Sequence, residues 1–262
     1  MCGRFVTTSS AEDIAAYFGA NLADSLAQSL GEAAAATPDD AARVPGATAN
    51  YNVAPTNDVL GIVDPMGVAD EAGHVTPEVR SYQWGLVPSW AKDVKIGSKM
   101  INARAETIAE KPAFKGLFKK HRLIVPMDGF YEWQVLAGQK AKQPMFIHRR
   151  DGEPLAVAGM WAAWRDKAAG EDAPWLHTCT VVTTSANATM APVHDRMPVI
   201  LPRSRWDEWL DPTNQDVDAL LHLLVPAPND LLVMHPVSTA VNNVRNKGAE
   251  LIERIELAHH AH

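Results

Sequence analysis

Cys2 follows the initiator methionine. Once Met1 is removed, a single residue carries a free α-amine and a thiol. An amine of pKa about 7.7–8.0 is roughly 10–20% neutral at pH 7, whereas a lysine near about 10.4 is almost wholly protonated and needs strong desolvation to compete. The pair is a 1,2-aminothiol, and aldehydes are its natural partners. The amine forms an imine and the thiol closes onto the same carbon, giving a five-membered thiazolidine through an intramolecular step. The alternative reading is a small buried hydrophobe, the commoner fate of a free cysteine.

Four other segments carry chemistry-bearing side chains. Glu132, in Gly129-Phe130-Tyr131-Glu132-Trp133-Gln134, reads as a strand acid flanked by aromatics. An apolar pocket raises a carboxyl pKa and suits it to general acid/base work; a half-exposed glutamate paired to a cation is the equal alternative. His194, in Val193-His194-Asp195-Arg196, is a loop histidine able to shuttle protons, or one corner of a structural ion-pair turn. Asn102 and Arg104 sit two residues apart in Ile101-Asn102-Ala103-Arg104, on one face of a strand or loop entering a helix. Arginine offers a forked phosphate donor and asparagine both a donor and an acceptor. In Trp84-Gly85-Leu86-Val87-Pro88-Ser89-Trp90, Trp90 suits base stacking and Trp84 suits the core.

These residues must be positioned by elements that the hydrophobic pattern predicts. Strands are expected at 59–63, 79–84, 122–125, 129–135, 145–149, 155–161, 178–184 and 231–235. Helical spacing follows the capping-box pattern Ser9-x-x-Glu12, with Ile14, Tyr17 and Phe18 on one face and Gly19 as the stop. Further helices are expected over 104–110, 111–118, 203–209 and 217–224. The Ala-rich stretch 23–49 reads as a surface insertion with a short helix near 22–30. Many short strands with scattered helices predict an α+β domain around antiparallel sheet. No linker divides it, so one domain is expected over 1–257, with the tail 258–262 frayed. There is no GxGxxG, P-loop or internal repeat.

With 47% hydrophobic residues in 262, the chain can bury a sizeable core. It has no bilayer-spanning apolar run and no secretory pattern at its start. Two cysteines, Cys2 and Cys179, allow neither a disulfide framework nor a zinc site, and a reducing, cytoplasmic setting is expected. Net charge is −7, which argues against bulk nucleic-acid binding. The segment Lys92–Arg122, however, holds nine Lys or Arg and three acids, leaving −13 to the rest. It is either a phosphate-binding face or an ordinary solvated helix surface.

The segments MCGRF, YNVAPT, WGLVPSWAKD, INARAET, DGFYEWQ, HDRMPVIL and VSTAVNNVRNKGAEL run in order from residue 1 to about residue 255. Together they resemble the SRAP family, the SOS response-associated peptidases. The resemblance implies a barrel-like core of antiparallel β-sheets with peripheral helices. It implies capture of abasic sites in single-stranded DNA through a thiazolidine crosslink at Cys2, with lyase-type strand cleavage accessible from the imine. It also implies that Glu132 is the acid/base carboxylate, His194 the histidine beside the opened sugar, and Asn102 the group that holds Cys2 and the sugar. Arg4, Arg104 and Arg196 would grip flanking phosphates, and Thr183 would supply a pocket hydroxyl. Some family members carry a Trp-Trp pair against the DNA; here Trp90 is followed by Ala91. No cofactor, metal or membrane partner is expected, and a monomer associated with the nucleoid during DNA damage is the simplest form. Two rival functions remain: a cysteine peptidase using Cys2 and His194, in its narrowest form one that removes only its own Met1, and a non-covalent reader of modified DNA bases.

Overall fold

The computed structural model describes residues 2–65, 75–136, 138 and 141–257. The histidine-rich tail 258–262 lies outside the described residues. The strands are β1 Phe5–Thr7, β2 Asn21–Leu22, β3 Asn50–Val53, β4 Asp58–Val63, β5 Glu78–Trp84, β6 Asn102–Arg104, β7 Arg122–Met127, β8 Gly129–Gln134, β9 Gln143–Arg149, β10 Leu155–Trp164, β11 Leu176–Ser185, β12 Arg196–Pro198 and β13 Leu232–Pro236. The helices are α1 Ala11–Phe18, α2 Asp24–Ala34, α3 Pro38–Ala41, α4 Lys115–Lys120, α5 Trp206–Leu210 and α6 Val217–Leu221.

The strands form two sheets, one ordered β13-β9-β8-β1-β3 and the other β12-β11-β10-β7-β4-β5-β2. Parallel pairing of β11 with β5, Cys179 against Trp84, closes β5-β4-β7-β10-β11 into a ring. This is the barrel-like core of an α+β fold. Gly159 is required where β10 crosses β7 and β11: a Cβ there would lie 2.7 Å from both Leu123 Cδ1 and the Thr180 carbonyl. The five-stranded sheet covers one face of the ring, and Phe5, Val53, Phe130 and Ile147 join Tyr82, Trp84, Leu123, Val125 and Val181 in one apolar cluster. The helices cover the other face, where Ile14, Phe18, Leu26, Phe118, Trp206 and Trp209 pack on Leu60, Ile62, Ile124 and Ala158. Each such fully buried aliphatic or Phe side chain contributes roughly 1.5–3 kcal/mol. The burial of β7 on both faces is what a strand sandwiched between two cores requires.

Several local expectations are corrected. The α1 cap is Ser10, whose hydroxyl accepts from the Asp13 amide. Ser9 instead donates its hydroxyl to Asp128 at 2.9 Å. Gly19 stops α1 in the left-handed region at φ 63°, as its position implied. The helix expected over 104–110 does not form. Arg104 is extended at φ −87°, ψ 129°, and only a 3-10 turn follows over Ala105–Thr107. Pairing of β6 with β11, Asn102 against Val181 and Arg104 against Thr183, overrides the local helical pattern. Residues 111–114 form a turn, and α4 begins at Lys115. Within 23–49, α2 runs beyond the expected helix and buries Leu26 and Ala33.

Arg122 also departs from the basic-surface reading. It is buried, and its guanidinium makes five hydrogen bonds to the carbonyls of Trp209, Phe118, Lys119, Asp211 and Asn214. All its donors are used. Burial pulls its pKa down to about 10, so it remains charged at neutral pH and clamps the C-terminal ends of α4 and α5 and the turn that follows α5. The other eight cations of that segment are exposed.

Candidate active site

The N-terminal strand is held against β8 at both ends. Asp128, between β7 and β8, accepts from the amides of Thr8 and Ser9 and from both hydroxyls. The register pairs Phe5 with Phe130 and Val6 with Gly129, and the Tyr131 amide donates to the Arg4 carbonyl at 3.0 Å. Continued two residues back, that register brings the chain past Glu132. The first residues are therefore built into the sheet, and Cys2 is fully buried within the apolar cluster.

Asn102 reaches Cys2 directly, its Nδ2 donating to the Cys2 carbonyl at 2.7 Å. Its Oδ1 is buried with no hydrogen-bond partner among the described residues. Asn102 is fixed by β6–β11 pairing and by the neighbouring turn. There the Trp84 indole donates to the Ile101 carbonyl at 3.0 Å and the Leu86 amide to the Met100 carbonyl at 3.1 Å. Gly85 makes that turn possible: it sits at φ 128°, and a Cβ on it would meet the Gly97 carbonyl oxygen at 2.7 Å. Glu132 is 3% exposed on β8. Burial pushes the Cys2 thiol well above the usual cysteine range, and the nearby Glu132 carboxylate pushes it further. The thiol is thus protonated at neutral pH.

His194 closes a turn pinned by Asn187, whose Oδ1 accepts from the Met190 amide and whose Nδ2 donates to the Ala227 carbonyl, each at 2.9 Å. Gln134 on β8 donates to the Pro192 carbonyl of this turn at 3.2 Å, coupling the Glu132 strand to it. The Arg196 amide donates to His194 Nδ1 at 3.0 Å, which leaves the ring proton on Nε2. Asp195 Oδ1 lies 2.9 Å from the same Nδ1 and would favour the opposite tautomer. Asp195 is 87% exposed, so solvent weakens its pull and the amide decides.

The arginines divide into different roles. Arg104 is exposed at the end of β6 and opposes Thr183. Arg196 makes two bonds to the Glu106 carboxylate at 3.0 and 2.9 Å, and others to Thr183 Oγ1 at 3.2 Å and the Thr183 carbonyl at 2.7 Å. The same pair holds the Glu106 carboxyl below its usual range. Thr183 is fully buried, so its hydroxyl serves Arg196. Arg4 donates to Asn52 Oδ1 at 2.7 Å and the Val241 carbonyl at 2.9 Å, and stacks over Trp133 at 5.9 Å. Trp90 is 60% exposed, while Trp84 is fully buried.

The structure therefore gathers Cys2, Asn102 and Glu132 in one locus, and His194, Thr183 and Arg196 in an adjoining one. Sequence reasoning gave no role to Asn52 or Glu106. Asn52 is fully buried, and its Nδ2 donates to the carbonyls of Val241, Asn243 and Asn246 at 3.2, 3.1 and 2.9 Å. It fastens Arg4 to the C-terminal loop. An amide between Tyr51 and Val53 on a strand was the available signal. A cleft of about 600 Å³ between α2 and β5 contains none of these residues. The converging polar groups, not cavity size, define the site.

Residues 1–244 match the family model of the SOS response associated peptidases (SRAP), and the chain belongs to that family. Abasic site processing protein YoqW of Bacillus subtilis is 44% identical over 204 residues, covering 78% of this chain and 85% of that protein. Abasic site processing protein YedK of Escherichia coli is 33% identical over 259 residues, covering 97% of this chain and all of its own. A crystal structure of a protein from Bacteroides thetaiotaomicron shares the fold at a TM-score of 0.77 and 24% identity, covering 97% of this chain and 100% of that one.

Proposed function

We propose that this protein, once Met1 is removed, processes abasic sites in single-stranded DNA by capturing them as a thiazolidine at Cys2. The observation that carries this reading is the burial of Cys2 beside Glu132 with its carbonyl held by Asn102. A merely structural N-terminus has no use for a protonated thiol, an acid and an open amide acceptor at one point. Relatives named for abasic site processing support the substrate class.

As the C1′–O4′ bond breaks, the proton of the C1′ hydroxyl is relayed through solvent to the ring oxygen, to which His194 Nε2–H donates a hydrogen bond, giving the C1′ aldehyde and a C4′ hydroxyl. The Cys2 amine adds to C1′, forming a C–N bond. Glu132 relays one amine proton to the former carbonyl oxygen and the second to the resulting hydroxyl, which leaves as water, and the imine forms. The thiol then adds to the imine carbon, and its proton passes to nitrogen. One water is lost overall. Asn102 Oδ1, buried without a hydrogen-bond partner among the described residues, would accept from the new amine. β-Elimination from the imine would give lyase-type cleavage as a side reaction. Exposed Lys92, Lys95, Lys99, Arg104 and Lys111 supply phosphate contacts.

The test is intact-mass spectrometry to select Met1-free protein, followed by incubation with an abasic oligonucleotide and its undamaged twin. A heat-stable product of protein plus DNA less one water is expected from the abasic strand alone. No covalent product from Met1-free protein in excess would overturn the proposal. The rate should also climb through the range of an α-amine, about 7.7–8.0. A profile that stays flat until the thiol range would exclude amine-first attack.

A further inference from the structure

We propose that Glu106 is a positioning residue for abasic-site capture: through Arg196 it fixes the turn bearing His194 against the strand bearing Asn102, an assignment that rests on the capture role above. Thr183 pairs with Arg104 on β6 and with Pro198 on β12, so those two strands lie on opposite edges of β11. β6 begins at Asn102, and β12 begins just after His194. The Arg196 side chain crosses β11 to join them. On its way Nε donates to Thr183 Oγ1 at 3.2 Å and Nη2 to the Thr183 carbonyl at 2.7 Å. It ends on the Glu106 carboxylate, with Nη1 to Oε1 at 3.0 Å and Nη2 to Oε2 at 2.9 Å. Thr183 Oγ1 in turn donates to the Ala103 carbonyl at 3.4 Å. Side chains thus tie β12 to β6 over the strand that separates them.

The tie reaches a reacting group at each end. The Arg196 amide donates to His194 Nδ1 at 3.0 Å, so a shift of Arg196 moves the imidazole. Glu106 stands in the 3-10 turn Ala105–Thr107 that ends β6, and β6 itself, Asn102–Arg104, is short. Its exit is held by these side-chain bonds. Desolvation makes the carboxylate the necessary member. The Arg196 side chain is 11% exposed and that of Glu106 51%, so the guanidinium is the buried partner, and a buried cation needs its counter-charge close by. Glu106 and Thr183 together satisfy four of its five N–H donors. Glutamine at 106 would keep one acceptor but turn amide hydrogens toward the second guanidinium nitrogen. The fork would pivot and carry the start of β12 with it. A carboxylate that only masked Arg196 from DNA phosphates would need a guanidinium open to solvent, which this one is not.

The experiment compares Met1-free wild type and Glu106→Gln on three single strands. One carries an abasic site, one a tetrahydrofuran residue that binds without crosslinking, and one an aldehyde on an open-chain linker in place of the sugar. Single-turnover crosslinking at saturating abasic strand is expected to fall about 10- to 100-fold, the effect of a small misplacement of a reacting group. The open-chain aldehyde has no ring to open and no call on His194, so it should react at nearly the wild-type rate. Affinity for the tetrahydrofuran strand should be unchanged. Arg196→Lys should lose as much rate as Glu106→Gln, and the double variant no more than either alone, because both break the same tie. Glu106→Asp, which keeps the charge, should recover part of the rate. Tighter binding of the tetrahydrofuran strand by Glu106→Gln, with a salt slope steeper by about 0.7, would mark Glu106 as a mask on Arg196 and overturn the proposal. Equal slowing on the abasic and open-chain strands would mark general loosening and overturn it too, as would an unchanged rate on both. In each of these outcomes wild type still crosslinks and the capture chemistry stands. Failure of wild type to crosslink the abasic strand would instead remove the reading on which the proposal rests.

Discussion

Cys2→Ala, freed of Met1, is expected to give no heat-stable product with abasic DNA under conditions in which wild type reacts completely. The variant still has an α-amine at the same place, so the first half of the chemistry survives. Borohydride reduction should trap an imine that heating otherwise destroys. Cys2→Ser should fall between the two, because a hydroxyl closes a less stable ring than a thiol. The comparison separates the two nucleophiles of one residue: in the proposed mechanism the amine decides whether DNA is captured and the thiol decides whether it stays. Cys2 is also a core residue, fully buried with Phe5 and Trp84, and alanine removes only one atom there. Circular dichroism should show unchanged folding. A heat-stable product from Cys2→Ala equal to that of wild type would end the thiazolidine assignment.

Glu132→Gln is expected to slow crosslinking by about 10²–10⁴-fold, the usual worth of a positioned acid/base. Single-turnover rates at saturating DNA measure this directly. The substitution is nearly isosteric and leaves the backbone pairing of Glu132 with Met145 in place. Its sign is diagnostic. Glu132 raises the Cys2 thiol, so removing its charge makes the thiolate easier to form. A thiolate-first mechanism would therefore accelerate in Glu132→Gln, whereas amine attack with acid-assisted loss of water must slow. A rate equal to or above wild type would remove Glu132 from the proton transfers.

These predictions begin at residues visible in the chain before any folding is considered. Cys2 was legible because its position, next to a removable methionine, creates a functional group no interior cysteine has. Glu132 stood out as an acid inside an aromatic strand. The strands that form the ring were legible too, since β7, β10 and β11 carry long β-branched and apolar runs and their period is a local property. The cap Gly19 was read from a backbone preference that needs no partner.

What the local pattern could not carry was pairing between distant segments. Arg104 belongs to a strand because β11, some 80 residues later, accepts it; its own neighbours favour a helical turn. Arg196 reads as a free phosphate ligand until the fold places Glu106 within 3.0 Å of it. Arg122 reads as surface charge until five carbonyls from two helix ends converge on it. Asn52 acquires a role only when β3 lies beside the C-terminal loop. Each of these is a register decision, made by burial and hydrogen-bond satisfaction over the whole molecule. The sequence by itself singled out the candidate residues and the strand pattern. The tertiary structure decided which of the polar residues face one another, because a buried polar group must find its partner wherever the chain brings one.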